Sequence, residues 1–363
     1  MERQKFPKAK LRWLAFLVLI IICIRAAATN QSWIENNYSI SFYRYFSSAQ
    51  RWIFGWLPFS FGDIIYLCTL LWLIYLVYLF ISKLVRKKIT ASATRKTLLN
   101  IVFLFALIYI IFNLFWGLNY NRNTISKQLS LTTIRIDTAE LKELQLLLLR
   151  RVNDTKQTLI DSGTNPLSRE VMLTTAVVSY KTLQNKFPFI HYANRSVKPS
   201  LFGWWGNYLG FTGYYDPFTG EAQVNTTVPK FMQPYTACHE IAHQLGYAKE
   251  EEANFVGYLA AMASDNILFH YSAYLDLFVY TNRELYYTDS LFAKSAVKNL
   301  LPGVKADLKE WRDFAKKHKN PFEPVITWMY GNYLKANQQP KGLNSYDEVI
   351  VDLIAYYKKY GVI

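Results

Sequence analysis

Three long apolar runs occupy the first third of the chain, at 11–28, 64–82 and 98–118, and a mixed polar and apolar pattern fills the rest. Each run is close to the roughly 20 residues a helix needs to cross a bilayer. The first opens behind Arg3, Lys5, Lys8, Lys10 and Arg12. A charged start before an apolar stretch also fits a signal peptide. With two further runs following, an uncleaved anchor is the expectation. The connection at 83–97 carries Lys83, Arg86, Lys87, Lys88, Arg95 and Lys96, whereas 29–63 has only Arg44 and Arg51 against Glu35 and Asp63. Short basic loops stay on the cytoplasmic side. The N-terminus and 83–97 are therefore expected inside, and 119–363 outside. The 29–63 loop is rich in aromatic residues, among them Trp33, Tyr38, Tyr45, Trp52 and Trp56. Such rings gather at membrane–water boundaries, so part of this loop is expected to lie along the surface.

From 119 onward the periodicity is mostly helical. Asp137 with Glu140 three residues on predicts a capped helix to about Asp161, and a second is expected over 169–185, ahead of Pro188. Between Pro188 and Pro234, Gly, Pro and aromatic residues replace that pattern. There 209–215 and 221–227 alternate as two short strands around the turn Asp216-Pro217-Phe218-Thr219-Gly220. Helices resume to the end. The expected class is α+β, mostly helical. It comprises a membrane domain at 1–118 and one soluble domain at 119–363, with a small sheet just ahead of a motif-bearing helix.

The net charge is +15. No nucleic-acid motif accompanies the basic residues, and lysines and arginines flanking spans account for such a balance, so the expected partner is a lipid bilayer and no nucleic acid. Of three cysteines, Cys23 and Cys68 fall in apolar runs. Cys238 stands alone in the soluble part, where it reads as a small buried apolar residue.

That helix carries His239-Glu240-Ile241-Ala242-His243. Histidines at i and i+4 project from one helix face, one turn apart. Two imidazole nitrogens can then approach one Zn2+ at the ~2.0–2.1 Å such bonds need. Glu240 lies beside that face as the general base for a metal-activated water. A third protein ligand is still needed, and Gly246 permits a turn that folds the following Glu250, Glu251 and Glu252 back toward the metal. Glutamates at a helix start also complement its dipole, which leaves the choice among them open.

The run Glu250-Glu251-Glu252-Ala253-Asn254 resembles the E-x-x-[AS]-[DN] helix of glutamate-ligand zinc peptidases, the gluzincins. The resemblance implies a zincin-like domain with Glu250 as metal ligand, Glu251 or Glu252 being the alternatives. It makes Asn254 the residue that supports a ligand histidine, in place of the commoner aspartate. Several runs together, LPFSFGDIIY (57–66), WGLNYNR (116–122), GYYDPFTGEAQVN (213–225), the motif stretch 239–255 and the tail from Tyr333, resemble bacterial domain-of-unknown-function family 3810. That family implies a bacterial membrane protein with a zinc-peptidase motif; with the charge asymmetry of the loops, the expected location is the inner membrane with the C-terminal domain on the periplasmic side.

The activity expected is zinc-dependent hydrolysis of a protein or peptide substrate. The strand before the motif helix is a candidate for pairing with that substrate, or an ordinary hairpin. His270, Tyr271 and Tyr274 are candidate transition-state donors. His191 and His318 read as bystanders. The alternative is a non-catalytic zinc-binding or structural envelope protein. An intramembrane protease is disfavoured because 233–252 is too polar for lipid, and a transporter would need more spans.

Overall fold

The computed structural model describes residues 8–86, 90–132, 136–342 and 348–363. Arg3, Lys5, Lys87 and Lys88 of the basic clusters, and 343–347 of the tail run, lie outside the described residues. The chain starts with α1 (Lys8–Ala28). A continuous helical stretch follows, through α2 (Gln31–Trp33), a π-helical segment Ile34–Tyr43 and α3 (Arg44–Phe54). Next come α4 (Phe61–Val85) and α5 (Ala91–Phe115). Ala9–Ala28, Phe61–Val85 and Ala91–Phe115 are long and apolar enough to cross a membrane. The second and third helices begin earlier than the apolar runs because Ser60 and Thr90 cap them, accepting from the backbone N–H of Asp63 and Ala93. The third ends at Phe115, not 118. Trp116 leaves the helical region at φ −158°, and a 3-10 turn, Gly117–Asn121, takes over.

The 29–63 segment is more than a surface loop. Glu35, Gln50 and Arg51 are buried against the rest of the molecule. Gln50 donates to the carbonyls of Pro217 and Phe218, and Arg51 to those of Ala193, Asn194 and Gln244. Its exposed aromatic residues, including Tyr45, Trp52 and Trp56, lie on the face left free by this docking.

After the short α6 (Ile125–Gln128), α7 (Thr138–Asp161) and α8 (Arg169–Lys186) form where the periodicity predicts them. Asp137 and Glu140 make a full capping box. The middle of the chain supplies β1 (Val197–Pro199), α9 (Gly203–Leu209), β2 (Gly213–Asp216) and β3 (Glu221–Val224). The sheet order is β1-β3-β2, with β1 parallel and β2 antiparallel to β3. The strands are shorter than 209–215 and 221–227, because α9 takes Leu209 and Asn225 turns its side chain back to the carbonyls of Gly203 and Phe211. β1, only three residues long, has no alternation to betray it.

The remaining helices are α10 (Gln233–Gln244), α11 (Glu250–Met262), α12 (Ile267–Thr288), α13 (Ser290–Lys298), α14 (Pro302–Lys317), α15 (Glu323–Ala336) and α16 (Val349–Tyr360). One apolar core joins α7, α8, α10, α11, α12 and α16 through residues such as Leu148, Tyr180, Ile241, Phe255, Phe278 and Leu353. α10 is buried along its whole length between this core and the sheet. His239, Glu240 and His243 therefore stand on a helix with no exposed face.

Candidate metal centre

Gly246 sets the angle between α10 and α11. Its φ of +82° is left-handed, and a Cβ there would stand 2.9 Å from Asn119 Oδ1 and 3.0 Å from Tyr43 Cε1. The turn brings the start of α11 back over α10. Gly257 lets the two helices touch, since a Cβ at that position would lie 3.0 Å from the backbone nitrogen of His239.

This packing puts Glu250 against both histidines. Its Oε2 stands 3.2 Å from His239 Nε2 and 3.6 Å from His243 Nε2. That oxygen is buried and makes no hydrogen bond, while Oε1 accepts from the Tyr330 hydroxyl at 3.0 Å. The backbone N–H of Glu250 donates to Gln339 Oε1 at 3.1 Å. Glu252 turns elsewhere, with Lys249 Nζ 3.9 Å from its Oε1. Burial pushes its carboxyl up to about 7, with Lys249 and Arg122 pulling the other way. Glu251 is half-buried, and burial and the neighbouring Glu252 push it up to about 8.

The outer nitrogens of both imidazoles are held. His239 Nδ1 is 2.7 Å from Asn254 Oδ1, and His243 Nδ1 is 2.7 Å from the Tyr247 carbonyl. A carbonyl oxygen only accepts, so His243 carries a proton on Nδ1 and turns Nε2 inward, where the neutral ring offers a lone pair. Asn254 Oδ1 accepts from His239 Nδ1 and fixes the orientation of that ring. The Asn254 backbone carbonyl accepts from the Tyr235 hydroxyl at 2.9 Å, fixing α11 at that level. Asn254→Ala is expected to weaken metal affinity by roughly 10–100-fold, as loss of a histidine's outer partner typically does. Asn254→Asp should retain it. Competition against a zinc chelator of known affinity measures both.

Glu240 is buried beside the pair. Its Oε2 makes no hydrogen bond, and Oε1 would lie 2.5 Å from a Cβ on Gly213 of β2. The glycine is what lets the strand run directly past this carboxylate. Burial pushes Glu240 up to about 7, although the two imidazoles pull it down. Burial would also lower His239, but Glu250 and Glu240 override it and raise the imidazole to about 9. Glu250 is pushed up by burial yet held well below the usual carboxylate range by the two imidazoles. The chain has thus placed two carboxylates around two imidazoles, an arrangement that favours positive charge at its centre.

A tetrahedral zinc with bonds of ~2.0–2.2 Å separates its ligand atoms by roughly 3.3–3.6 Å. The two separations from Glu250 Oε2 match this, so the spacing of the three donor atoms fits such an ion. Ligand atoms of His239, Glu240 and His243 also lie within 4.8 Å of one another. Of the two carboxylates, Glu250 is the one whose Oε2 stands 3.2 and 3.6 Å from the two Nε2 atoms.

The other sequence candidates are engaged elsewhere. The Tyr271 hydroxyl donates to Asp307, Tyr274 to the carbonyl of Ile363, and His270 Nε2 stands 2.8 Å from the carbonyl of Ser264. Cys238 points into the core, as expected of a small apolar residue, and Tyr180 donates to its carbonyl at 2.6 Å. His318 is buried and His191 half-buried. Tyr330, 80 positions from Glu250, has no local signal in the sequence.

The collar behind the histidines has no such signal either. Trp116 donates its indole N–H to the His243 carbonyl at 3.2 Å, and Tyr43 its hydroxyl to the Gln244 carbonyl at 3.1 Å. Arg122 donates to the Leu245 carbonyl while paired through two nitrogens with Glu35, the closer contact being 2.8 Å. Trp116 directly follows the last residue of α5, so the end of an apolar helix abuts the motif.

These features define a mostly helical protein with three apolar helices and a buried His–Glu–His cluster next to the end of one of them. The chain matches the family described as "Protein of unknown function (DUF3810)" over residues 38–354, and it belongs to that family. No curated protein and no solved structure matches it.

Proposed function

We propose that this protein is a membrane-anchored zinc metallopeptidase with a zincin-like site. His239, His243 and Glu250 would hold the ion and Glu240 would act as general base. The observation that carries the reading is Glu250 Oε2, buried, unbonded, and 3.2 and 3.6 Å from two inward-facing imidazole nitrogens. Zinc at this position would supply a Lewis acid that lowers the pKa of a water and polarises a carbonyl. The rest falls to the chain. Glu240 takes the attacking water's proton and returns it to the leaving amine. Asn254 and the Tyr247 carbonyl keep the proton of each neutral imidazole on Nδ1, so that Nε2 offers its lone pair.

A peptide as substrate is supported by β2. It is an edge strand, and the Asn225 N–H bonds the Thr212 carbonyl at 2.8 Å. In an antiparallel ladder this turns the backbone groups of Gly213 and Tyr215 toward the free side. An extended peptide adding there would run past Glu240. The basic residues Lys83, Arg86, Arg95 and Lys96 support a cytoplasmic 83–97 connection and hence a periplasmic site at a bacterial inner membrane.

The test is hydrolysis of unstructured polypeptides by the full chain in lipid nanodiscs. Cleavage should stop with 1,10-phenanthroline and return on adding Zn2+. Cleavage indifferent to the chelator would overturn the reading.

A further inference from the structure

We infer that the aromatic face shared by α9 and α15 is seated in the interfacial layer of the bilayer that takes α1, α4 and α5. α15 contains a single acidic and a single basic residue, Glu323 and Lys335. It exposes Val325, Met329 and Trp328, the last 69% exposed, with Phe322 just before the helix. Val325, Trp328 and Met329 fall at i, i+3 and i+4, one stripe along the helix. α9 adds Trp204 and Trp205, preceded by Leu201, and Trp205 is 61% exposed. The two helices are joined where Asn320 Nδ2 donates to the Tyr208 carbonyl at 2.7 Å and the Tyr208 ring meets His318 at 5.0 Å. A contiguous apolar patch of this kind marks a surface made to be covered.

Three observations make lipid the occupant. The patch begins at the end of a span: the Leu201 N–H donates at 2.7 Å to Oδ2 of Asp63, which is buried in the first turn of α4. It also reaches the end of another. The Tyr333 hydroxyl of α15 is 3.3 Å from that of Tyr120, four residues past Trp116 at the close of α5. The patch is thus anchored at both sides to the level where chain leaves the apolar helices. Its composition is that of an interfacial segment, since tryptophan collects at headgroup depth. Finally, Lys316, Lys317 and Lys319 stand exposed immediately before Phe322, placed to meet anionic headgroups.

Spin labelling of the full chain tests this without using metal or catalysis. With Cys23 and Cys68 replaced by Ala, and Cys238 left buried, nitroxides are attached singly through W205C, M329C and, as a water-exposed reference on α7, E143C. The proteins are reconstituted in phosphatidylcholine–phosphatidylglycerol vesicles. At 205 and 329 the label should collide freely with oxygen and be several-fold less accessible to a water-soluble nickel chelate than at 143. Labels at 205 and 329 as open to the chelate as at 143 would overturn the proposal. Shielding from both reagents would also overturn it, showing a protein or a second copy over the patch.

Discussion

Glu240→Gln is expected to leave zinc content unchanged and to cut hydrolysis by about 10²–10⁴-fold, the range supplied by a positioned general base. The substitution keeps the side chain's shape, so its close approach to Gly213 survives. The amide cannot take a proton from water. Glu240 has no hydrogen bond at Oε2 in this site, so that oxygen is open to accept one. Equal cleavage by the variant and the wild type would remove Glu240 from the mechanism. Loss of both zinc and cleavage would show that Glu240 is a ligand instead. Metal analysis and peptide cleavage on the same preparation separate these outcomes.

Alanine at Glu250, Glu251 and Glu252 in turn should give one large loss of zinc affinity rather than three moderate ones. Glu250→Ala removes the only one of the three carboxylates that stands beside both Nε2 atoms. The expected loss exceeds the roughly 10–100-fold cost of losing an outer partner. Glu252→Ala leaves the histidines untouched and acts on the Lys249 and Arg122 side, and Glu251→Ala affects a half-buried carboxyl near Glu348. Both should hold zinc as the wild type does. Isothermal titration of the apo-proteins reads the three constants. If Glu251→Ala or Glu252→Ala shows the large loss, the turn at Gly246 delivers a different residue to the metal.

What the sequence reveals here is local. Apolar runs, the capping box at Asp137, the i,i+4 histidines and the glutamates after Gly246 are set by spacing within one element or its neighbour. Their positions follow from helix geometry alone. The supports come from far away, and no periodicity encodes them. Tyr330 reaches Glu250 from α15, Trp116 reaches His243 from the end of α5, and Tyr43 and Arg51 reach the Gln244 carbonyl from a segment whose aromatic content reads as membrane surface.

The runs that carry the family resemblance share a physical role in the structure. Ser60 and Asp63 of LPFSFGDIIY cap α4 and tie it to Leu201 and Tyr214. Glu221 of GYYDPFTGEAQVN accepts from the backbone N–H groups of Phe61 and Gly62, the latter at 2.6 Å. Trp116 and Arg122 of WGLNYNR clamp the carbonyls of His243 and Leu245. Together they fasten the ends of the apolar helices to the sheet and the motif helix.

If His239, His243 and Glu250 hold one zinc ion, the purified protein must carry it. Mass-spectrometric metal analysis of the full chain, purified without chelator, should give about one zinc per protein, falling to background in a His239→Ala, His243→Ala double variant that stays folded. A wild type free of tightly bound zinc after zinc loading and dialysis, or a double variant retaining the full equivalent, would contradict that assignment.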